Sequence, residues 1–298
     1  MQSNVAGDTR TARVDSKRGV FYLLLGNQRQ LLTFGLSDAA LVRTLNLPEY
    51  VTSLDFTASG DSLLMTCPLA TSLAVLDLTL AVPQLSLLPL STPDGARGQV
   101  PVSVLAAANG KALIGLNGPT VAQYQLMEID LATGAERLRT DAGNAGVVEN
   151  VITRSADHDL LVIGTVTDVI QVYDAATDQF GPLTTLAQGG GPIGVSVDGQ
   201  VITHGFQVLD AGLNLVRTIH STTGGGVASS FLSPDGQSLY YFETRGLVRT
   251  SVAGGSIIER SRLPFSVWQI QVADDGQWAV FTGSPGMSTG QVGVIDLR

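Results

Sequence analysis

The chain has 298 residues and a net charge of −9, with two lysines and fifteen arginines scattered singly along it. This distribution argues against nucleic acid and anionic membrane surfaces as partners, because both select a clustered positive patch. Only 14% of the residues are charged, against about 25% in a typical soluble domain. The apolar runs, such as residues 21–25, have the length of a strand, far below the ~20 residues of a spanning helix. We therefore expect no membrane insertion, and strands that are covered on both faces.

Cys67 is the single cysteine, which excludes an intrachain disulfide and a CxxC metal or redox motif. Its neighbours are apolar, in the segment LLMTCPL. A lone cysteine in such a strand is most often a small buried hydrophobic residue. We therefore expect Cys67 to be buried rather than to serve as a reactive thiol.

The first residues, MQSNVAGDTRTAR, have neither the charged region nor the apolar region of a signal peptide. This observation leaves two compartments open. One is the cytoplasm, and the other is the outside of the cell, with a leader that is not part of this chain.

The predicted elements repeat one plan along the chain, and residues 227–252 show it most clearly. We predict a strand at 227–232, a turn on Ser233–Gly236, a strand at 238–243 and a strand at 247–252. The turn is predicted from its residue types. Proline presets φ at the second turn position, aspartate bonds to its own backbone, and glycine accepts a positive φ without steric cost.

Two markers follow this plan from end to end. The first is the turn glycine or its nearest equivalent, expected at Gly19, Gly60, Gly110, Asp159, Gly199, Gly236 and Gly276. Successive intervals are 41, 50, 49, 40, 37 and 40 residues, and the interval through both termini is 41. The second is an aspartate after the third strand, at Asp38, Asp77, Asp130, Asp174, Asp210 and Asp296, with Ala253 in the sixth unit. Both markers count seven units.

Four short strands joined by such turns, repeated about every forty residues, are typical of β-propeller blades. We predict one all-β domain over residues 1–298, a seven-bladed β-propeller with four-stranded antiparallel blades. The predicted blades are 9–49, 50–90, 99–140, 146–188, 191–220, 226–263, and 265–298 together with 2–8. The last blade has three strands of its own, and we expect the N-terminal strand at 2–8 to join it and close the ring.

The segment SPDGQSLYYF, together with VYDAATDQ and EIDLATG, resembles the bacterial β-propeller repeats of the YVTN and TolB-like type, which are related in shape to WD-type propellers. Only the sixth unit has the full SPDG turn. The resemblance implies the fold and favours an extracytoplasmic protein, periplasmic or secreted. Known propellers of this type include lactone hydrolases, streptogramin lyases and protein-binding hubs, so the fold does not select an activity.

The sequence contains few of the residue patterns that carry chemistry. The recurring aspartates are expected to accept backbone N–H bonds in turns. The histidines, His158, His204 and His220, are far apart, and no HExxH, EF-hand or phosphate-loop motif occurs. Residues 157–159 (Asp-His-Asp) come nearest to a cation site but occupy a turn position. We therefore predict no catalytic residues, no metal site and no cofactor.

In a propeller, the second-to-third strand loops and the crossovers between blades share one rim, which we name the top rim. The longest predicted loops, 91–98, 116–122, 141–146 and 283–290, fall on it. Binding residues concentrate in loops held by a rigid scaffold, and a channel mouth is a common ligand site. The candidate ligand-binding residues are Arg97, Glu149, His204, His220, Arg245 and Trp268. The alternative is that these are ordinary solvated loop residues.

Three functional hypotheses follow. The preferred one is a monomeric, non-catalytic propeller that binds a protein or a small molecule on the top rim. The second is a lactonase- or lyase-like enzyme that uses Glu149, His220 and Arg97 at the channel mouth. The third is a structural module of a longer bacterial surface or secreted protein.

Overall fold

The computed structural model describes residues 2–5, 9–91, 99–118, 125–142, 152–164, 169–186, 193–219, 230–233, 235–243, 246–262, 266–286 and 289–297. Internal contacts divide the chain into a central unit, residues 47–188, and a terminal unit, residues 1–46 and 189–298. Besides strands, the described residues form two short 3-10 helices, Gly26–Gln28 and Thr140–Ala142. None of the helices in these ranges is long and apolar enough to cross a membrane.

The strands form seven antiparallel sheets, which we call blades 1 to 7 in chain order. After β1 (Gln2–Val5), blade 1 of the terminal unit comprises β2 (Thr9–Asp15), β3 (Val20–Leu25), β4 (Gln30–Gly35) and β5 (Leu41–Asn46).

The central unit holds blades 2, 3 and 4. Blade 2 comprises β6 (Ser53–Phe56), β7 (Ser62–Cys67), β8 (Ser72–Asp77) and β9 (Gln84–Pro89). Blade 3 comprises β10 (Val100–Ala106), β11 (Lys111–Asn117), β12 (Gln125–Asp130) and β13 (Glu136–Leu138). Blade 4 comprises β14 (Ile152–Arg154), β15 (Leu160–Gly164), β16 (Val169–Asp174), β17 (Gln179–Phe180) and β18 (Thr184–Thr185), and both short outer strands pair with β16.

The rest of the terminal unit holds blades 5, 6 and 7. Blade 5 comprises β19 (Ile193–Val195), β20 (Val201–His204), β21 (Gln207–Asp210) and β22 (Leu215–Thr218). Blade 6 comprises β23 (Ser230–Leu232), β24 (Ser238–Glu243), β25 (Gly246–Ser251) and β26 (Ile257–Arg262). Blade 7 comprises β27 (Ser266–Val272), β28 (Trp278–Gly286) and β29 (Thr289–Asp296), with β1 as its fourth strand.

The N-terminal strand completes blade 7, as the sequence predicts. β1 pairs antiparallel with β29 in the register Gln2 to Gly293 through Val5 to Gly290. The blade therefore depends on a ladder of backbone hydrogen bonds between the two ends of the chain.

The central strands of the blades are covered on both faces. In β3 and in β7 every residue after the first is buried. This explains why the sequence shows continuous apolar runs instead of the alternation of a half-buried strand. Cys67, at the end of β7, is a free and buried cysteine, as expected, and burial raises the pKa of its thiol.

The first turn of every blade has the same backbone bond, in which the marker residue donates its N–H to the carbonyl oxygen three residues earlier. In blade 4 the donor is His158, at φ +64°, so Asp159 was the wrong marker. Histidine tolerates this region better than most side chains, although less well than glycine. Its Nδ1 lies 2.8 Å from the carbonyl oxygen of Ala106, which anchors the turn against blade 3.

The predicted loop at 283–290 is mostly strand. β28 continues to Gly286 and β29 begins at Thr289, and these two residues pair with each other. The register shifts between Gly283 and Gly286, so a bulge lets the hairpin extend beyond the regular blade. The prediction failed because Gly283, Pro285 and Gly286 are typical of loops.

Side chains of blade 2 satisfy the free edge of β10, the first strand of blade 3. The three bonds join Thr52 Oγ1 to the carbonyl oxygen of Val102 at 2.9 Å, the N–H of Val104 to Ser53 Oγ at 3.3 Å, and the N–H of Ala106 to Asp55 Oδ2 at 3.0 Å. An edge strand otherwise presents unpaired backbone groups. The neighbouring blade therefore replaces the strand that β10 lacks on this side.

Asp55 also holds the guanidinium of Arg154, which lies 99 residues later at the end of β14. Nε lies 2.9 Å from Oδ2 and Nη2 lies 3.0 Å from Oδ1, and the two side chains are 0% and 6% exposed. This fork-like pair links the first strands of blades 2 and 4 across that of blade 3.

Removal of residues 1–5 should destabilise the protein, because β29 then loses the partner that its backbone groups require. Each such hydrogen bond contributes a net of about 0.5–1.5 kcal/mol, so the melting temperature should fall by roughly 5 °C or more. Differential scanning calorimetry measures this change. An unchanged melting temperature would contradict the closure of blade 7 by β1.

The Asp55→Ala substitution should cost about 3–5 kcal/mol of unfolding free energy, because it leaves a buried guanidinium without its carboxylate. The double variant Asp55→Ala/Arg154→Met removes that charge as well, so it should be more stable than Asp55→Ala alone. Urea denaturation of the two single variants and the double variant measures the coupling. Additive losses would contradict the pairing.

Candidate functional site

Four of the six predicted top-rim residues, Arg97, Glu149, His220 and Arg245, lie outside the residues that the structure describes. Their grouping at one rim stays a prediction. The other two, His204 and Trp268, lie in strands.

His204 is the last residue of β20 and pairs with Gln207 across a tight turn whose Gly205 has φ +58°. Its side chain is 3% exposed, so it belongs to the packed end of blade 5 rather than to a solvated loop. A histidine in a second-to-third strand turn was predicted, whereas its burial was not evident from the sequence.

Trp268 occupies a β-bulge in β27. Val267 pairs with Gly283 and Gln269 with Thr282, so Trp268 is the extra residue between two paired positions. Bulges re-aim a side chain and are over-represented next to functional sites. The first strands of blades 1 and 3 have the same bulge, at Arg10 and Val102, so it is a recurring feature of the blades rather than one particular to Trp268.

Five of the six aspartates that follow a third strand accept backbone N–H bonds within their own turns, as predicted: Asp38, Asp77, Asp130, Asp174 and Asp210. After the third strand, Oδ1 of Asp77 accepts the hydroxyl of Thr79 at 2.6 Å and its N–H at 2.8 Å, and Oδ1 of Asp130 accepts the N–H of Thr133 at 2.8 Å. In the first turn, Oδ1 of Asp235 accepts the hydroxyl of Ser233 at 2.5 Å. These bonds hold the pKa of the Asp77, Asp130 and Asp235 carboxyl groups below its ordinary value. Their role is structural.

The 157–159 turn shows the same use of its side chains. Asp157 Oδ1 accepts the hydroxyl of Ser155 at 2.5 Å and the N–H of Asp159 at 3.0 Å, and the His158 ring faces Ala106. Within the described ranges, no group of three or more His, Cys, Asp or Glu side chains could hold a metal ion.

A dense charge network fills the cleft between blades 3 and 4, which we name the 3/4 cleft. At its centre is Arg139, whose side chain is 1% exposed. Its Nε and Nη2 donate to Asp141 at 2.9 and 2.7 Å, and its Nη1 donates to Glu128 and, at 2.7 Å, to Asp178. The guanidinium also lies 4.7 Å from the ring centroid of Phe180. Every direction around this cation is therefore occupied.

Two more cations complete the network. Lys111 Nζ lies 2.5 Å from Asp178 and 3.0 Å from Glu128, and Arg137 Nη2 lies 3.0 Å from Glu128. With Arg139 and Asp141, the cleft holds three cationic and three anionic side chains. Since the charges balance and pair with one another, this cluster locks two blades together.

The cleft between blades 6 and 7, which we name the 6/7 cleft, is open instead. It contains a cavity of about 290 Å³. Its lining residues come from β24, β25, β26 and the end of blade 7: Tyr240, Leu247, Arg249, Glu259, Ser261, Ile295, Asp296 and Leu297. Aliphatic and charged side chains thus share one recess within the terminal unit.

Arg249 is held in place from one side. Its Nε donates to Ser238 Oγ at 3.1 Å, and its guanidinium carbon lies 5.7 Å from the ring centroid of Tyr240. The Tyr240 ring stacks on Phe231 with the centroids 4.6 Å apart, and burial raises the pKa of the Tyr240 phenol. These contacts fix the plane in which the guanidinium lies.

Sequence reasoning did not identify the 6/7 cleft. The available signal was the alternation in β24, where Tyr241 is buried and Tyr240 lies on the opposite face. The pairing of Tyr240 with Arg249, and of Arg249 with Glu259, requires the strand register, which the sequence does not specify.

The Asp178→Asn substitution should remove a stabilisation that depends on pH. Burial raises the pKa of Asp178, but hydrogen bonds from Lys111, Tyr173 and Arg139 outweigh it and hold the pKa well below its ordinary value of 3.8. The stabilisation is therefore present above about pH 4 and is lost as the pH falls below that value. Urea unfolding should show a large difference from the parent protein at pH 7 that shrinks at pH 3. The exposed neighbour Gln179→Ala serves as the control, and a difference that does not vary with pH would contradict the assignment.

No protein-family model matches the sequence, and no curated protein matches it. Among solved structures, the chain is similar to the β-propeller domain of Cps50 (Swd1) from Myceliophteria thermophila. The TM-score is 0.69, over 98% of this chain and 99% of that chain, at 13% sequence identity. At such identity the likeness establishes the fold alone. Together with the seven antiparallel sheets, six of four strands and one of five, it shows that the chain is an all-β, seven-bladed β-propeller.

Proposed function

We propose that this propeller is a non-catalytic scaffold that binds a protein or a small molecule on its top rim. We further propose that it is a module of a bacterial secreted or surface protein with YVTN- and TolB-like repeats. The observation that carries the proposal is the use of the recurring aspartates and of His158, whose side chains are bonded within turns or between blades. Among the described residues, these carboxylates and this imidazole hold the scaffold together and are not free to act as an acid–base pair.

Two further features support the top rim as the binding face. The loops 91–98 and 141–146 are among the longest predicted connections, and loops on a rigid scaffold are where recognition concentrates. In addition, Trp268 lies in the first strand of blade 7. Tryptophan and arginine are the residues that most often dominate binding energy at interfaces.

The test compares the parent protein with the double variant Arg245→Ala/Trp268→Ala. Both proteins are screened for binding to a fluorescent peptide library and, by thermal shift, to a panel of small molecules. A ligand of the top rim should lose at least about tenfold in affinity in the double variant, the equivalent of 1.4 kcal/mol. Gln200→Ala, in a first turn, is the matched control and should bind normally.

The same proteins are then assayed on a lactone panel with added divalent cations. Turnover by the parent protein that is lost in Glu149→Gln or in His220→Asn would replace the scaffold proposal with the lactonase- or lyase-like alternative. Equal losses of binding in the double variant and in the Gln200→Ala control would contradict a site on the top rim.

A further inference from the structure

The 3/4 and 6/7 clefts are lined by equivalent strand positions of blade 3 and of blade 6. The second strand starts at Lys111 in blade 3 and at Ser238 in blade 6. In each blade, the carbonyl oxygen of this residue accepts the N–H of the residue that begins the first turn, Ala107 or Ser233. Two residues further along, the cross-strand rows are Leu113, Glu128 and Arg137 in blade 3 and Tyr240, Arg249 and Glu259 in blade 6. By the same register, Arg139, which bonds to Leu126, corresponds to Ser261, which pairs with Leu247.

In the 3/4 cleft, the following blade supplies the groups that fill this space. Asp178 and Phe180 lie two residues apart in blade 4. The carboxylate of Asp178 accepts a hydrogen bond from Arg139 at 2.7 Å, while the Phe180 ring lies 4.7 Å from the same guanidinium. An acidic residue, a spacer and an aromatic residue therefore form the plug of this cleft.

In the 6/7 cleft no described side chain takes the place of that plug. Arg139 is replaced by the small Ser261, and the cavity of about 290 Å³ remains beside it. Arg249 donates only from Nε, to Ser238, so in the described contacts its two terminal nitrogens bond to nothing. Glu259 is its cross-strand partner, but it accepts the Ser261 hydroxyl at 2.9 Å and forms no ion pair with Arg249.

We propose that the 6/7 cleft binds an extended peptide segment of a partner protein with the pattern acidic residue, any residue, phenylalanine. The carboxylate pairs with the terminal nitrogens of Arg249, and the phenylalanine ring packs on Leu247, Ile295 and Leu297. A guanidinium fork held by a ring and an Nε bond is pre-organised for a carboxylate. The site is lined by residues of the strands and of the end of blade 7, and it includes none of the six top-rim candidates.

Two carboxylates in the cleft determine the orientation of the proposed peptide ligand. Glu259 and Asp296 are exposed, whereas Arg249 and the aliphatic residues are partly buried. Charges in water are screened more strongly than partly buried ones. The acidic residue of the ligand therefore pairs with the partly buried Arg249, while the carboxylate of the neighbouring Glu259 stays in water and bonded to Ser261.

The probe is a synthetic peptide with the sequence of residues 175–182, AATDQFGP, which carries the blade 4 plug. Binding is measured by fluorescence anisotropy of the labelled peptide at low salt. The parent protein should bind it, and the Asp→Asn and Phe→Ala peptides should each bind at least about tenfold more weakly, the scale of one charged hydrogen bond or one buried ring.

Two protein variants separate binding from folding. Arg249→Gln should weaken binding at least about tenfold, whereas Arg217→Gln, an exposed arginine on the outer strand of blade 5, should leave it unchanged. Ser261→Phe keeps Arg249 but fills the cavity with an aromatic ring from β26. It should therefore abolish peptide binding while the melting temperature of the protein is preserved. Equal binding by the parent protein and Arg249→Gln, equal binding of the Asp and Asn peptides, or no binding by the parent protein at millimolar peptide would overturn the proposal.

Discussion

Backbone groups at the edge of a sheet must find partners, and much of this structure follows from how they do so. Each blade is a small sheet with two edges. At β10 the partners are side chains, with Thr52, Ser53 and Asp55 of the preceding blade bonded to its backbone. Because Asp55 also pairs with Arg154, the same contact connects three consecutive blades. Buried polar side chains thus form the hydrogen bonds that a neighbouring strand would otherwise provide.

The two clefts show how one backbone plan serves two purposes. Where Arg139 meets Asp178 and Phe180, the cleft is filled, its charges balance and the blades are locked. Where Ser261 stands in place of Arg139, the same geometry leaves a recess and an arginine with unused donors. The side chains at these few positions, and not the strand plan, therefore decide whether such a cleft is filled or open.

The fold was predictable from sequence because its signals are local. The turn at Gly236 and the aspartate at Asp130 act within a few residues, and such chemistry repeats in each blade. The exception was the blade 4 turn, where a histidine takes the left-handed position. The contacts between distant segments could not be predicted, since Arg154 meets Asp55 across 99 residues and Arg249 meets Tyr240 only in the folded register.

The pairing of β1 with β29 has a consequence for the timing of folding. β1 is synthesised long before β29, its pairing partner, since Gln2 pairs with Gly293. Blades 1 to 6 consist of consecutive strands and can assemble as they emerge, whereas blade 7 can form completely only after β29 has been synthesised. Until then β1 presents an unsatisfied edge, so the nascent chain is exposed to wrong strand pairing, and chaperones that cover such edges should act on it.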